Sequence, residues 1–199
     1  WQLTTSENIV ITATCIVIAA GSGSFVPRRP PLDNIKDFEK KSIFYSIRDR
    51  IKFKDKKILI VGGGDSALDW TNDLAKIADI TLMHRRLDFR AAPDSVTKML
   101  ELKDDNKINF KLGQLTQLIG ENGNLTKVKY KNENQEDEIE VDYLLPFFGL
   151  KMELGPIANW GINLDKNLIK VDTEKFETST PTIFAIGDIN TYPGKLKLI

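Results

Sequence analysis

The chain has 199 residues, 28 of them basic and 28 acidic, with one cysteine and a 41% hydrophobic content. A formal net charge of zero excludes a global field that would gather nucleic acid or an anionic membrane, so phosphate recognition has to be local. No apolar run is long enough to span a bilayer as a helix, and a single thiol, Cys15, forms neither an internal disulfide nor a metal cluster, which suits a reducing cytoplasm.

No signal-peptide pattern opens the chain; it starts at Trp1 and stops at Ile199 inside an apolar and basic run, and it reads as a fragment of a longer protein. Trp1 to Thr5, Ile9 to Thr12 and Cys15 to Ala19 have strand patterns and are expected to form a small antiparallel sheet, with Cys15 a packing residue. Gly21-Ser22-Gly23 mimics a dinucleotide loop, but Pro27, Pro30 and Pro31 follow where a helix would have to run, so it reads as a turn into an extended crossover. The charged stretch from Asp33 to Lys56 reads as a linker anchored by Phe38, Ile43, Phe44, Tyr45, Ile47 and Phe53.

Ile58 to Val61 is an apolar run that fits a buried parallel strand, and Gly62, Gly63 and Gly64 follow at once. Apolar residues then recur with helical spacing at Ala67, Trp70, Leu74, Ile77 and Ala78. Gly62, Gly64 and Ala67 match G-x-G-x-x-G/A, in which the first glycine makes the turn and the second admits a pyrophosphate. A small third residue lets helix and strand pack closely, and helix N–H groups face the phosphates. The next strand, Ile80 to Met83, ends in His84-Arg85-Arg86, with Arg90 beyond. About 20 residues after the glycines an NAD site holds an acid for the ribose 2′-OH, whereas a 2′-phosphate calls for arginine. Arg85, Arg86 and Arg90 therefore point to NADP(H); the alternative is a solvated basic surface or a nucleic-acid patch.

Asp94 to Leu102 has helical spacing with Asp94 as N-cap, and Ile108 to Leu112 is expected as the third parallel strand. Leu115 to Ile119, Leu125 to Lys131 and Glu138 to Val141 read as a β-meander on the sheet edge. Tyr143 to Phe148 returns to the parallel sheet and ends at Gly149, which either admits a flat ring or is a plain strand-end turn. Leu154 to Gly161 suggests a short helical turn and Leu168 to Val171 a short strand. Ile183 to Ile186 is a buried strand that delivers Gly187 and Asp188; by itself that is also the pattern of a β-turn.

Gly62 to Trp70, His84-Arg85-Arg86-x-x-Phe89-Arg90-Ala91 and Ile183 to Asp188 together resemble the thioredoxin reductase-like flavoproteins. Ala19 to Arg28 and the run Gly187 to Ile199, with its Tyr192-Pro193-Gly194-Lys195, resemble the bacterial type 2 ferredoxin–NADP reductase branch. The resemblance implies an α/β flavoprotein with two dinucleotide-binding domains: a Rossmann-like NADP-binding domain with a β-meander over 43–148, flanked by parts of an FAD domain at 1–42 and 149–199. It implies transfer of a hydride from NADPH to FAD and of electrons to ferredoxin or flavodoxin, by a cytoplasmic homodimer when complete. Gly62, Gly63, Gly64, Asp65 and Ser66 would cradle the pyrophosphate; Arg85, Arg86 and Arg90 would hold the 2′-phosphate; Phe25, Gly187 and Asp188 would meet the flavin. No side chain is needed as acid, base or nucleophile, and no metal is expected. A Cys-x-x-Cys relay is missing, since Phe44-Tyr45-Ser46-Ile47 stands in its place. The FAD fingerprint is also missing, so the chain is expected to bind NADP(H) without holding FAD tightly. A related reductase with another acceptor and a non-catalytic NADP-binding fragment are the other readings.

Overall fold

The computed structural model describes residues 1–133 and 135–195. The chain divides into two compact units: Pro27–Gly149, and Trp1–Val26 with the chain from Leu150 onward.

In the Pro27–Gly149 unit, four parallel strands run in the spatial order Tyr143–Pro146, Lys57–Val61, Asp79–His84, Asn109–Leu112. Lys57–Val61 is buried on both faces, as expected of a central parallel strand, and its alternation sends Ile58 and Ile60 to one core and Leu59 and Val61 to another. The Ile58 and Ile60 face packs under the helices Asp65–Leu74 and Pro93–Asp104, against Ala67, Leu68, Leu74 and Met99. The Leu59 and Val61 face meets Leu118, Leu125, Val128 and Tyr130.

Those last four residues belong to the meander Gln114–Glu121, Asn124–Asn132 and Gln135–Glu140, which is a separate antiparallel sheet covering the parallel one and not an extension of its edge. Gly113 permits the fold-over, because a Cβ there would lie 2.7 Å from the Tyr130 ring. The segment expected as a linker is also part of this core. Ile35, Phe38 and Ile43 pack on the meander side and Phe53 on the helix side, because these apolar anchors are what covers the sheet there.

Two helix ends differ from expectation. The first helix stops at Leu74, and Ile77 and Ala78 pack as turn residues while the Ile77 carbonyl accepts from the Asp55 N–H. In the second, Pro93 takes the first helical position, which suits a residue without an N–H, so Ala92 is the N-cap. Asp94 is thereby moved into the first turn, where it pairs with Lys98 at 2.7 Å.

In the other unit Gln2–Thr4 and Val10–Thr12 form an antiparallel pair, but Ile16–Ile18 does not join them. It pairs in parallel with Ile183–Ala185, because Ile18, Ile183 and Ala185 bury together against Ile169 and Ile189. The apolar surface expected to stay uncovered here is therefore mostly covered: Ile18 and Ile183 are buried, Ile16 and Phe184 are half-buried, and Val17 is left outside. Cys15 is exposed and packs in no core, since it precedes the strand. Gly21-Ser22-Gly23 turns the chain into the strand Ser24–Pro27, which pairs with Leu150–Glu153. Among the described residues no helix is long and apolar enough to cross a membrane.

Candidate functional site

The parallel sheet is built outward from Lys57–Val61 in both directions: the chain goes on to Asp79–His84 and Asn109–Leu112 on one side and returns on the other as Tyr143–Pro146. That reversal opens a crevice beyond the carboxyl ends of Lys57–Val61 and Tyr143–Pro146, the position at which open α/β sheets bind ligands. A cavity of about 610 Å³ lies there, lined by Gly62, Gly63 and Gly64, by Arg85, Arg86 and Arg90, and by Phe147, Phe148 and Gly149.

The three glycines are there for different reasons. A Cβ on Gly62 would stand 2.6 Å from the Phe147 carbonyl oxygen and 3.0 Å from Ala67 Cβ, so this residue and the small Ala67 let strand, helix and return strand close up. A Cβ on Gly63 would run into the His84 ring. A Cβ on Gly64 would meet nothing within 4 Å, so the space over the start of the Asp65–Leu74 helix is open. Helix N–H groups and the positive end of the helix dipole face that space, which suits a phosphate.

Across the cavity the arginines are tied back to this loop. The Arg90 N–H donates to the Gly63 carbonyl at 2.7 Å, and His84 stacks on Phe89 with ring centroids 5.4 Å apart. Burial pushes the His84 imidazole below its ordinary value and the Arg86 and Arg85 charges add to this, while the Asp88 backbone opposes them. Arg86 Nε is buried and has no hydrogen-bond partner among the described residues. The glycine cradle and this orphaned donor together fit an adenine dinucleotide carrying a 2′-phosphate.

Asp65 and Ser66 are not in the lining; both are exposed, and the Asp65 carboxylate accepts from the Ala92 N–H at 2.7 Å. Phe25, Gly187 and Asp188 lie in the other unit. The Phe25 ring is exposed on Ser24–Pro27, and Asp188 stands exposed in the turn Gly187–Ile189. That turn is held by Lys195, whose ammonium donates to the Gly187 carbonyl at 2.7 Å and to both the carbonyl and the side-chain oxygen of Asn190. The unit thus exposes a ring at Phe25 and a carboxylate at Asp188. Among its described residues no glycine turn leads into a helix of the kind that cradles a pyrophosphate. Of the last run quoted for the resemblance, residues 196–199 lie outside the described residues.

Over residues 2–198 the chain matches the model of the family described as pyridine nucleotide-disulphide oxidoreductase. The chain belongs to this family. It is 58% identical over 201 residues to a ferredoxin–NADP reductase of Parvibaculum lavamentivorans and 55% identical to one of Mesorhizobium japonicum. All of the chain is covered in both comparisons, but it spans only 59% of the length of either relative. Among solved structures, thioredoxin reductase of Lactococcus lactis is similar, with a TM-score of 0.71 and 25% identity over 94% of this chain and 61% of that one. Bacillithiol disulfide reductase of Staphylococcus aureus shares the fold, with a TM-score of 0.74 at 20% identity over 98% of this chain and 60% of that one. The expected resemblance and fold class are borne out.

Sequence reasoning missed part of the lining. Arg28, Arg29, Pro30 and Pro31 border the cavity, as do Gly113, Gln114 and Leu115. The Arg28 N–H donates to the Gly149 carbonyl, which draws the first of these segments to the cavity. Arg29 is held by Glu39 through two hydrogen bonds of 2.6 and 3.0 Å, and Glu39 also accepts from the Tyr45 hydroxyl. That pairing holds the Glu39 carboxyl below its usual range, while burial and then the bond to Glu39 push the Tyr45 phenol well up. The only signal in the sequence was an Arg-Arg pair ahead of two prolines, and Gly149, to which Arg28 bonds, stands far along the chain.

Proposed function

We propose that the chain is the NADP(H)-binding part of a flavoprotein reductase that draws hydride from NADPH to FAD and passes electrons to ferredoxin or flavodoxin. The observation that carries this reading is the single cavity in which a glycine cradle open at Gly64 faces Arg85, Arg86 with its unpartnered Nε, and Arg90. The names of the relatives supply the acceptor, ferredoxin. Gly62, Gly63 and Gly64 bind the pyrophosphate through backbone and helix dipole, and the arginines bind the 2′-phosphate as charge-assisted donors. Gly149 has φ 83° and open space where a Cβ would stand, which lets a flat ring lie against the backbone at the end of the return strand.

When bound, FAD would supply the redox chemistry itself, and this chain's residues bind and orient the nucleotide. Phe25, Gly187 and Asp188 are the chain's contributions to the flavin site; a homodimeric, cytoplasmic complete protein belongs to the same reading. The test is titration of NADP⁺ and NAD⁺ against the wild type and Arg85→Ala. A hydrogen bond to a charged group contributes about 1.5 to 3 kcal/mol, so NADP⁺ should bind the variant roughly tenfold to a hundredfold more weakly while NAD⁺ hardly changes. Equal losses for both nucleotides would sink the assignment.

A further inference from the structure

We infer that Asp65 is a positioning residue: its carboxylate registers the arginine loop against the glycine loop, and so sets the preference for a 2′-phosphorylated nucleotide without touching either phosphate. The inference rests on the NADP(H) reading of the cavity and adds to it a device for selectivity.

A carboxylate in the first turn of the helix that receives a pyrophosphate is an odd choice, because it opposes the anion that the helix dipole favours. Here it is turned away. Asp65 Oδ1 accepts from the N–H of Ala92, the N-cap residue of Pro93–Asp104, at 2.7 Å. In many helices a glutamate at the third position performs that service from within. In this one that position is Ser95, and Ala92 has no capping side chain of its own. The bond to Ala92 therefore comes from the neighbouring helix.

Further links lie along the same line. Asp69 Oδ1 accepts from the Ser95 hydroxyl at 2.6 Å, and Asn72 Nδ2 donates to the Ser95 carbonyl at 3.0 Å. Asp65, Asp69 and Asn72 are spaced four and three apart and so share one face of the Asp65–Leu74 helix. At the head of that line the Gly63 carbonyl takes the Arg90 N–H. One helix face and one loop carbonyl thus fasten the segment from Arg90 to Ser95 to the phosphate cradle.

The ligand makes that register matter. In NADP the 2′-phosphate and the pyrophosphate hang from one ribose within a limited separation, so both are gripped together only if the two loops stay within that reach. NAD carries only the pyrophosphate and is indifferent to where the arginines stand. Loosening the Ala92 bond should therefore lower NADP⁺ affinity and spare NAD⁺.

Calorimetric titration of NADP⁺ and NAD⁺ into the purified protein tests this with Asp65→Ala, Asp65→Asn and, as a control on the reading beneath it, Arg85→Ala. Asp65→Ala should cut the NADP⁺ to NAD⁺ affinity ratio roughly tenfold, the size of one lost charged hydrogen bond. Asp65→Asn keeps an oxygen that accepts from Ala92 N–H, and should hold the ratio within about threefold of wild type. An unchanged ratio in Asp65→Ala, or a loss as large in Asn as in Ala, overturns the inference. So does a parallel change in both nucleotides, which would mean that the carboxylate acts on the pyrophosphate. If Asp65→Ala does not fold, Ser95→Ala removes the neighbouring link and should lower the ratio by roughly threefold; no change there also overturns it. A ratio unmoved by Arg85→Ala would instead mean that the NADP(H) reading itself has failed.

Discussion

In Pro27–Gly149, Lys57–Val61 is followed by its own loop and helix and pairs with the very next strand, Asp79–His84, so cradle and sheet arise from contiguous sequence. In the other unit Ile16–Ile18 finds its partner, Ile183–Ala185, at the far end of the chain, and the strands are two to four residues long. The first region has two apolar cores, one on each face of the sheet, and the second has one small core. A contiguous α/β unit can complete a site with its own residues. A unit assembled from both ends of the chain leaves its exposed Phe25 and Asp188 on separate segments.

The largest expected contrast is in stability. Leu59 has no exposed surface, and Leu59→Ala should cost about 2 to 5 kcal/mol in the unfolding transition of its unit, followed by urea denaturation. Ile11→Ala, in the exposed hairpin strand Val10–Thr12, should stay within about 0.5 kcal/mol. Similar costs at the two sites would remove the distinction drawn here.

Smaller and more pointed is the contrast within the glycine loop. Gly62→Ala puts a Cβ against the Phe147 carbonyl and should lose about 1 to 3 kcal/mol of stability along with nucleotide binding. Gly64→Ala meets no protein atom and should leave the melting temperature unchanged while NADP⁺ binding falls. A thermal shift in Gly64→Ala would show that the open space belongs to the fold.

His84 supplies a pH dependence confined to the nucleotide unit. The unfolded side chain takes up a proton near 6.5, whereas the folded ring, desolvated and beside Arg86, stays neutral to lower pH. Its contribution is therefore complete above 6.5 and declines as pH falls below that value. Between about pH 6.5 and 5, above the range in which carboxylates titrate, His84→Gln should flatten the stability profile of this unit. An identical slope in wild type and variant would mean that His84 is not the group involved.

The smallest effect belongs to Cys15. Exposed and outside every core, it should tolerate Cys15→Ser within about 0.5 kcal/mol, and its thiol should react with a soluble disulfide reagent in the native protein. A protected thiol would restore the packing role that the apolar run suggested.

Local spacing in the sequence was enough to bring the glycines and the arginines to one cavity. Gly62, Gly64 and Ala67 stand on one strand, turn and helix, and Arg85 ends the next strand, so the geometry of one βαβ unit brings them together. Strand existence was likewise legible, because alternation and apolar runs are local. Partnership was not. Nothing in Cys15 to Ala19 says that its partner is Ile183–Ala185 and not Val10–Thr12, since hydrophobic strands pair with whatever completes their burial. Nor does the pattern of Gln114–Glu121 say that it will cover the sheet and not extend it, which Gly113 and the Tyr130 ring decide. The same holds for Arg28 to Pro31 in the cavity wall and for Asp65 on Ala92. Motifs depend on spacing along the chain, which the sequence carries in full; pairings and long hydrogen bonds depend on distances through space, which exist only once the cores have closed.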